Sequence, residues 1–153
     1  MHLINNRFRI AAVGLAIGLL VSCSHYKEAL RPEEALKSFH LSDDRLAVSV
    51  FAAEPLVLDP VDMAFDEEGN MFVVEMPDYP VKPDDGSLRG AIRMLIDTDS
   101  DGKPDSATVF ADHLSEATSI LPWQGGLLVT AAPNILFLKD TTGDHRADVK
   151  EIL

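Results

Sequence analysis

The chain has 153 residues, with 25 acidic side chains against 13 basic ones, a formal charge of −12 and a single cysteine. No basic patch is present to meet phosphate, so nucleic acid is not an expected partner. One cysteine excludes an internal disulfide framework, and acidity of this size suits a solvated surface and cation loading without specifying a fold.

Residues 1–22 open with Arg7 and Arg9 and continue with twelve apolar or small residues, Ile10 to Val21. That run is short of the roughly 20 residues a membrane span needs, and it fits the apolar region of a secretory signal. It ends in Leu20-Val21-Ser22-Cys23, which resembles the bacterial lipobox. In that reading the leader is cut before Cys23 and the cysteine is acylated; the plainer alternative is an ordinary signal peptide with an incidental cysteine. Lipidation would consume the lone thiol of an exported protein, and each buried acyl methylene adds roughly 0.8 kcal/mol of membrane affinity. The expectation is a lipoprotein facing the periplasm or cell exterior. Without Arg7 and Arg9 its formal charge becomes −14.

Residues 23–45 read as a tether and one short helix. Pro32 with Glu33 and Glu34 suits a first helical turn, where proline lacks only a donor that would be unpaired and the acids meet the helix dipole. Leu36 and Phe39 would give that helix one apolar side. Leu46 to Ala52 then alternates in the manner of a strand.

From Val61 onward the pattern is paired strands. Val61 to Asp66, a turn at Glu67-Glu68-Gly69 and Met71 to Met76 form one hairpin; Ala91 to Ile96 and Ala107 to Asp112 form the next. The order returns as Ala117 to Leu121, a turn at Trp123-Gln124-Gly125-Gly126, Leu127 to Ala131, Ile135 to Lys139 and Val149 onward. Gly69 answers to Gly125 at a shift of 56 residues, whereas the later halves align at 43. The thirteen-residue difference falls in Tyr79 to Ala91, a loop by its proline, aspartate and glycine content.

Four strands at a period near 43 residues mark a β-propeller blade. The expected fold is an all-β propeller fragment over residues 46–153, with blades at about 57–114 and 115–153. Closure needs at least four blades, and Leu153 aligns with Phe110 inside an outer strand, so the chain is expected to be truncated. Phe72, Val74, Met94 and Leu128 are then expected on blade faces without neighbours.

Between the third and fourth strands lies Asp97-Thr98-Asp99-Ser100-Asp101-Gly102-Lys103-Pro104-Asp105. Alternate carboxylates of a tight loop converge on one point, and calcium takes six to eight oxygens. The expected ligands are Asp97, Asp99, Asp101, the Lys103 carbonyl and Asp105. An EF-hand is excluded, because Thr108 stands where the bidentate Glu belongs and the flanks are strands. The alternative is a bare turn, since Asp and Gly favour turns for local reasons. Carboxylates about 4 Å apart repel by on the order of 4 kcal/mol per pair at an effective dielectric of 20, which favours a counter-ion. A degraded copy, with Asp140, Thr142, Asp144 and Asp148, repeats the loop 43 residues later, with His145 in place of the glycine.

Pro32-Glu33-Glu34-Ala35-Leu36, Ala52-Ala53-Glu54-Pro55-Leu56, Met63-Ala64-Phe65-Asp66, Val74-Glu75-Met76 and Pro122-Trp123-Gln124-Gly125-Gly126 together resemble one family. It is the N-terminal propeller region of the membrane-bound dehydrogenases, haem-binding CxxCH proteins of planctomycete-type bacteria, distantly similar to glucose/sorbosone dehydrogenase propellers. The resemblance runs from about Pro32 to Leu153. It implies a helical-repeat region and a c-type cytochrome domain downstream of the propeller in the same parent protein. No C-x-x-C-H occurs in these residues, so a haem c site does not carry over, nor does any quinone-cofactor or catalytic residue.

The function that follows from the resemblance is a lipid-anchored dehydrogenase acting on a small organic substrate, a sugar or an alcohol, with electrons passed to a haem domain outside this chain. The alternative is a non-catalytic, calcium-stabilised propeller module for binding or scaffolding at the cell surface. Other chemistry is sparse: His113 reads as a loop histidine, Trp123 as a packing aromatic, and Glu75 with Asp78 and Tyr79 sits at a strand end, where propellers often take ligands.

Overall fold

The computed structural model describes residues 29–153, so the leader and Cys23 lie outside the described residues. Among the described residues no helix is long and apolar enough to cross a membrane. Helix α1 (Pro32–Ala35) is one turn with proline at its start, Glu33 and Glu34 in that turn, and a 3₁₀ turn after it at Leu36–Ser38. Arg31 Nη2 meets Glu34 Oε1 at 3.1 Å across its surface. The helix stops before Phe39, which is exposed and adds nothing to an apolar side.

The body, from Ser38 onward, holds eight strands in two antiparallel four-stranded sheets. The first sheet is β1 (Pro60–Phe65), β2 (Met71–Glu75), β3 (Gly90–Ile96) and β4 (Ser106–Leu114). The second is β5 (Ala117–Trp123), β6 (Gly126–Ala131), β7 (Asn134–Lys139) and β8 (Val149–Ile152). In each sheet the strands lie in sequence order, the meander of a propeller blade. The two sheets do not close into a barrel. Leu46 to Ala52, expected as a strand, is irregular. Alternation alone cannot make a strand where no neighbouring strand takes up its backbone hydrogen bonds.

Cross-strand partners show how the blades correspond. Val73 answers to Val129 and Arg93 to Leu136, the shifts of 56 and 43, but Met63 answers to Ile120, a shift of 57. The extra residue comes from the turns. In blade 1 five residues, Asp66 to Asn70, join the Phe65–Met71 pair, and the Asp66 carboxylate accepts N–H bonds from Glu68 and Asn70 at 2.9 and 2.8 Å. In blade 2 the strands run up to Trp123 and Gly126, leaving a two-residue turn at Gln124-Gly125 with both φ angles positive. That is the primed turn whose twist matches a hairpin.

The main core lies between the blades. Phe72, Val74, Ile92, Met94 and Phe110 of blade 1 pack against Ile120, Leu127, Val129, Leu136 and Leu138 of blade 2. Phe72 and Phe110 meet edge-on at 5.1 Å. Phe72, Val74 and Met94, expected to lack neighbours, are therefore buried by blade 2, and of that group only Leu128 lies on the face turned away. Asp62 Oδ2 locks the inner edge of the junction by accepting the Ser119 hydroxyl at 2.7 Å and the Ile120 N–H at 3.0 Å.

On the far face of blade 1, Met71, Val73 and Leu95 pack with Val57 and Ala52 from the preceding segment. Covered on both faces, β2 is buried at all five positions. In blade 2 only one face is covered, and β6 alternates between more and less buried residues.

Candidate metal centre

The β3–β4 connection spans Asp97 to Asp105, closed by the Asp105 N–H bonding to Ile96 O at 3.1 Å. Ser100 and Gly102 take positive φ, which folds the loop back on its first carboxylate. Asp97 Oδ1 accepts N–H bonds from Ser100 at 2.7 Å and Asp101 at 3.3 Å, and its Oδ2 accepts the Gly102 N–H at 2.8 Å. The Gly102 N–H is the largest influence holding the Asp97 carboxyl below its ordinary value; the Ser100 and Asp101 N–H groups add to it, and desolvation opposes them.

The loop brings Asp97, Asp99 and Asp105 together, each with a carboxylate oxygen within 4.8 Å of the others, all three exposed. Calcium–oxygen bonds of roughly 2.3–2.6 Å allow any two ligands of one ion to lie up to about 5 Å apart, so the group suits a single cation. The donors are all hard oxygens, with no imidazole or thiolate, as alkaline-earth ions require and softer metals do not. Asp101 stands outside the group, its Oδ1 accepting the Lys103 N–H at 2.8 Å.

The second loop folds alike but does not converge. Asp140 accepts N–H bonds from Thr142, Gly143 and His145 at 2.9, 2.7 and 2.7 Å. Asp148 binds the Thr141 hydroxyl and N–H, while Asp144 accepts the Arg146 N–H. Among the described residues, no three carboxylates of this loop meet as those of the first do.

The two loops share a threonine bond that their acidic pattern does not announce. Thr98 Oγ1 donates to Asp105 Oδ2 at 2.6 Å, and Thr141 Oγ1 donates to Asp148 Oδ2 at 2.9 Å. The signal was visible as Asp-Thr at the head of each loop, 43 residues apart. In the first loop this bond holds Asp105, whose carboxylate lies in the group with Asp97.

The remaining candidates lie elsewhere. Glu75, 2% exposed, accepts the Leu58 N–H at 2.7 Å and stands 2.8 Å from Arg93 Nε, so its carboxylate ties the segment before β1 to β3. Asp78, 5% exposed, accepts the Arg89 N–H at 3.2 Å through Oδ2, while its buried Oδ1 has no hydrogen-bond partner. Tyr79 and His113 are exposed, and His113 Nδ1 lies 2.8 Å from Asp112 Oδ1. Trp123 packs edge-on against Phe137 at 5.7 Å. It also lines a cleft of about 270 Å³ where the turns of the two blades meet, rimmed by Glu67, Glu68, Asp140 and His145.

No curated protein and no solved structure matches this sequence. A family model described as "Domain of unknown function (DUF7133)" matches residues 31–153, a span that takes in α1, both blades and both aspartate loops. The chain belongs to that family.

Proposed function

We propose that this chain is a calcium-stabilised propeller module, exported and held at the membrane through a lipidated Cys23. The observation that carries the calcium reading is the convergence of Asp97, Asp99 and Asp105. An ion there would take three carboxylate oxygens, the Lys103 carbonyl and water to complete six to eight ligands. It would relieve the repulsion among those carboxylates and pin the β3–β4 loop. Calorimetric titration of calcium into the protein tests this, with saturable one-site heat as the expected result. Because an ion that binds only the folded form stabilises it, calcium at about 100 times Kd should add about 2.7 kcal/mol to unfolding. The absence of both heat and thermal shift would leave only a turn.

A second reading makes the chain the N-terminal propeller portion of a dehydrogenase acting on a sugar or an alcohol, with electrons passing to a haem domain in the same parent protein. Its support is the motif resemblance from Pro32 to Leu153, nearly the span the family model matches. The chain by itself is then expected to show no turnover. Membrane fractions from the source cells, supplied with sugars and alcohols with and without quinone cofactor and calcium, test this by dye reduction. Substrate-dependent reduction that disappears on gene deletion supports the enzyme; its absence, together with absence of a downstream C-x-x-C-H, returns the function to the binding module.

A further inference from the structure

The β1–β2 turn of blade 1 meets the β5–β6 turn and β7–β8 loop of blade 2 around the cleft of about 270 Å³. Its floor is apolar, made of Phe72, Met94 and Phe110 from blade 1 and Pro122 and Leu127 from blade 2. Its charged lining is acidic: Asp66, Glu67 and Glu68 come from blade 1 and Asp140 from blade 2, and no lysine or arginine lines it. Asp66 is fixed by the Glu68 and Asn70 N–H groups and by the Asn70 side-chain amide at 2.8 Å. Desolvation is the largest influence on the Asp140 carboxyl and raises it. The Gly143, Thr142 and His145 N–H groups together outweigh it and hold the carboxyl below its ordinary value, so Asp140 is ionised at neutral pH. Glu67 and Glu68 stand exposed in the turn and join no ion pair among the described residues. The Lys139 ammonium of blade 2 is spent on the Gln124 carbonyl at 2.9 Å.

We propose that this cleft binds a small organic cation, an ammonium or guanidinium group carried on an apolar body. The floor selects the body, because apolar surface laid against Phe72, Met94, Phe110 and Leu127 leaves water favourably. The rim selects the charge. Four carboxylates without a fixed cation among them attract positive charge and repel anions. At the exposed rim the ligand's charged group keeps part of its water, which limits the cost of desolvating it. A bare metal ion does not fit. The apolar floor has no oxygens to replace its hydration shell, and these carboxylates do not converge as Asp97, Asp99 and Asp105 do. A neutral polyol fits less well, because its hydroxyls need partners that the floor lacks. The volume lies just under the roughly 300–1,000 Å³ of pockets for drug-sized ligands, which suits a smaller molecule. Blades 1 and 2 supply the floor and rim between them, so the site rests neither on calcium in the aspartate loop nor on the lipid anchor.

Calorimetric titration of cyclohexylammonium chloride into the full-length chain in mild detergent tests the proposal, with detergent alone as the blank. Cyclohexanol, ammonium chloride and glucose are the comparison ligands. The expected result is saturable one-site heat for cyclohexylammonium, with Kd on the order of 1 mM, and no saturable heat for the other three. Glu67→Gln with Glu68→Gln should weaken binding about tenfold, since exposed charge pairs each contribute modestly. Removing two exposed charges elsewhere, by Glu54→Gln with Asp84→Asn, should change it by less than about twofold, because salt screens distant charges. Asp99→Ala should bind as the wild type does, which separates this site from the aspartate loop. Circular dichroism checks that each variant is folded. Trp123, the chain's only tryptophan, lines the cleft, so its fluorescence should follow the same saturation curve. No heat from cyclohexylammonium overturns the proposal, and saturable heat from glucose alone makes the cleft a polyol site instead. Equal heat from cyclohexanol leaves an apolar crevice without charge selection. Equal weakening by the two double variants leaves only the diffuse field of an acidic protein, and either result overturns the proposal.

Discussion

Asp99 and Asp101 are two residues apart in one loop, equally exposed and equal in charge, yet the fold gives them different tasks. Each accepts the N–H two residues on, Asp99 from Asp101 at 3.2 Å and Asp101 from Lys103 at 2.8 Å, but only Asp99 joins the convergent group. Asp99→Ala should therefore remove the calcium heat, and Asp101→Ala should leave a measurable titration with an affinity lowered by about tenfold or less, the cost of roughly one hydrogen bond in the loop. Equal loss in both would put Asp101 among the ligands. At the blade junction, Asp62 is held below its ordinary carboxylate value, chiefly by the Ser119 hydroxyl, with desolvation opposing and the Ile120 and Met63 N–H groups adding to the effect. A carboxylate depressed on folding contributes stability above its unfolded value, near 3.9, and loses it as pH falls through the lower folded value. Asp62→Asn should therefore lower the melting temperature at pH 7, by about 1–3 kcal/mol of stability. It should also flatten the acid side of the profile below about pH 4. Thermal melts from pH 7 to pH 2 would show whether the two curves converge in acid.

Among the elements, the β5–β6 hairpin leaves its first β6 residue no room for a side chain. A side chain at Gly126 would place its Cβ 2.5 Å from Leu138 O and 2.8 Å from the Phe137 ring. The neighbouring strand and the Trp123–Phe137 pair leave no room for it. Gly126→Ala should cost about 1–3 kcal/mol through forced displacement of packed atoms, read as a lower melting temperature. Gly69→Ala faces nothing within 4 Å and pays only for its left-handed φ of 89°. A larger loss at Gly69 than at Gly126 would show that turn conformation, and not strand packing, dominates these hairpins.

The largest scale concerns where the module sits. Lipidation at Cys23 rests on the lipobox resemblance and on the isolation of the thiol, and it predicts palmitate incorporation that Cys23→Ala abolishes. Equal labelling of both proteins, or a wild type recovered wholly in the soluble fraction, would remove the anchor from the proposal. The two blades also show why burial differs between sheets of one repeat: β2 is covered on two sides and β6 on one.

What could be read from the chain alone was what depends on local order. The 43-residue period, the strand alternation and the Gly-containing turns placed seven strands within a few residues and the eighth at Val149, because hairpins and meanders are built from neighbours in sequence. The aspartate loop was legible for the same reason: its oxygens lie within nine residues. Tertiary structure alone decided the rest. Leu46 to Ala52 carries a strand pattern but has no strand to pair with, and periodicity cannot report a missing partner. Phe72, Val74 and Met94 carry the same apolar signal whether covered or open, and only the placement of blade 2 buries them. Asp62 looks like any surface aspartate until the fold brings Ser119, 57 positions away in sequence, to 2.7 Å. Of the four carboxylates in the first loop, three converge and Asp101 does not, a distinction that the alternating Asp pattern does not carry and the folded loop makes.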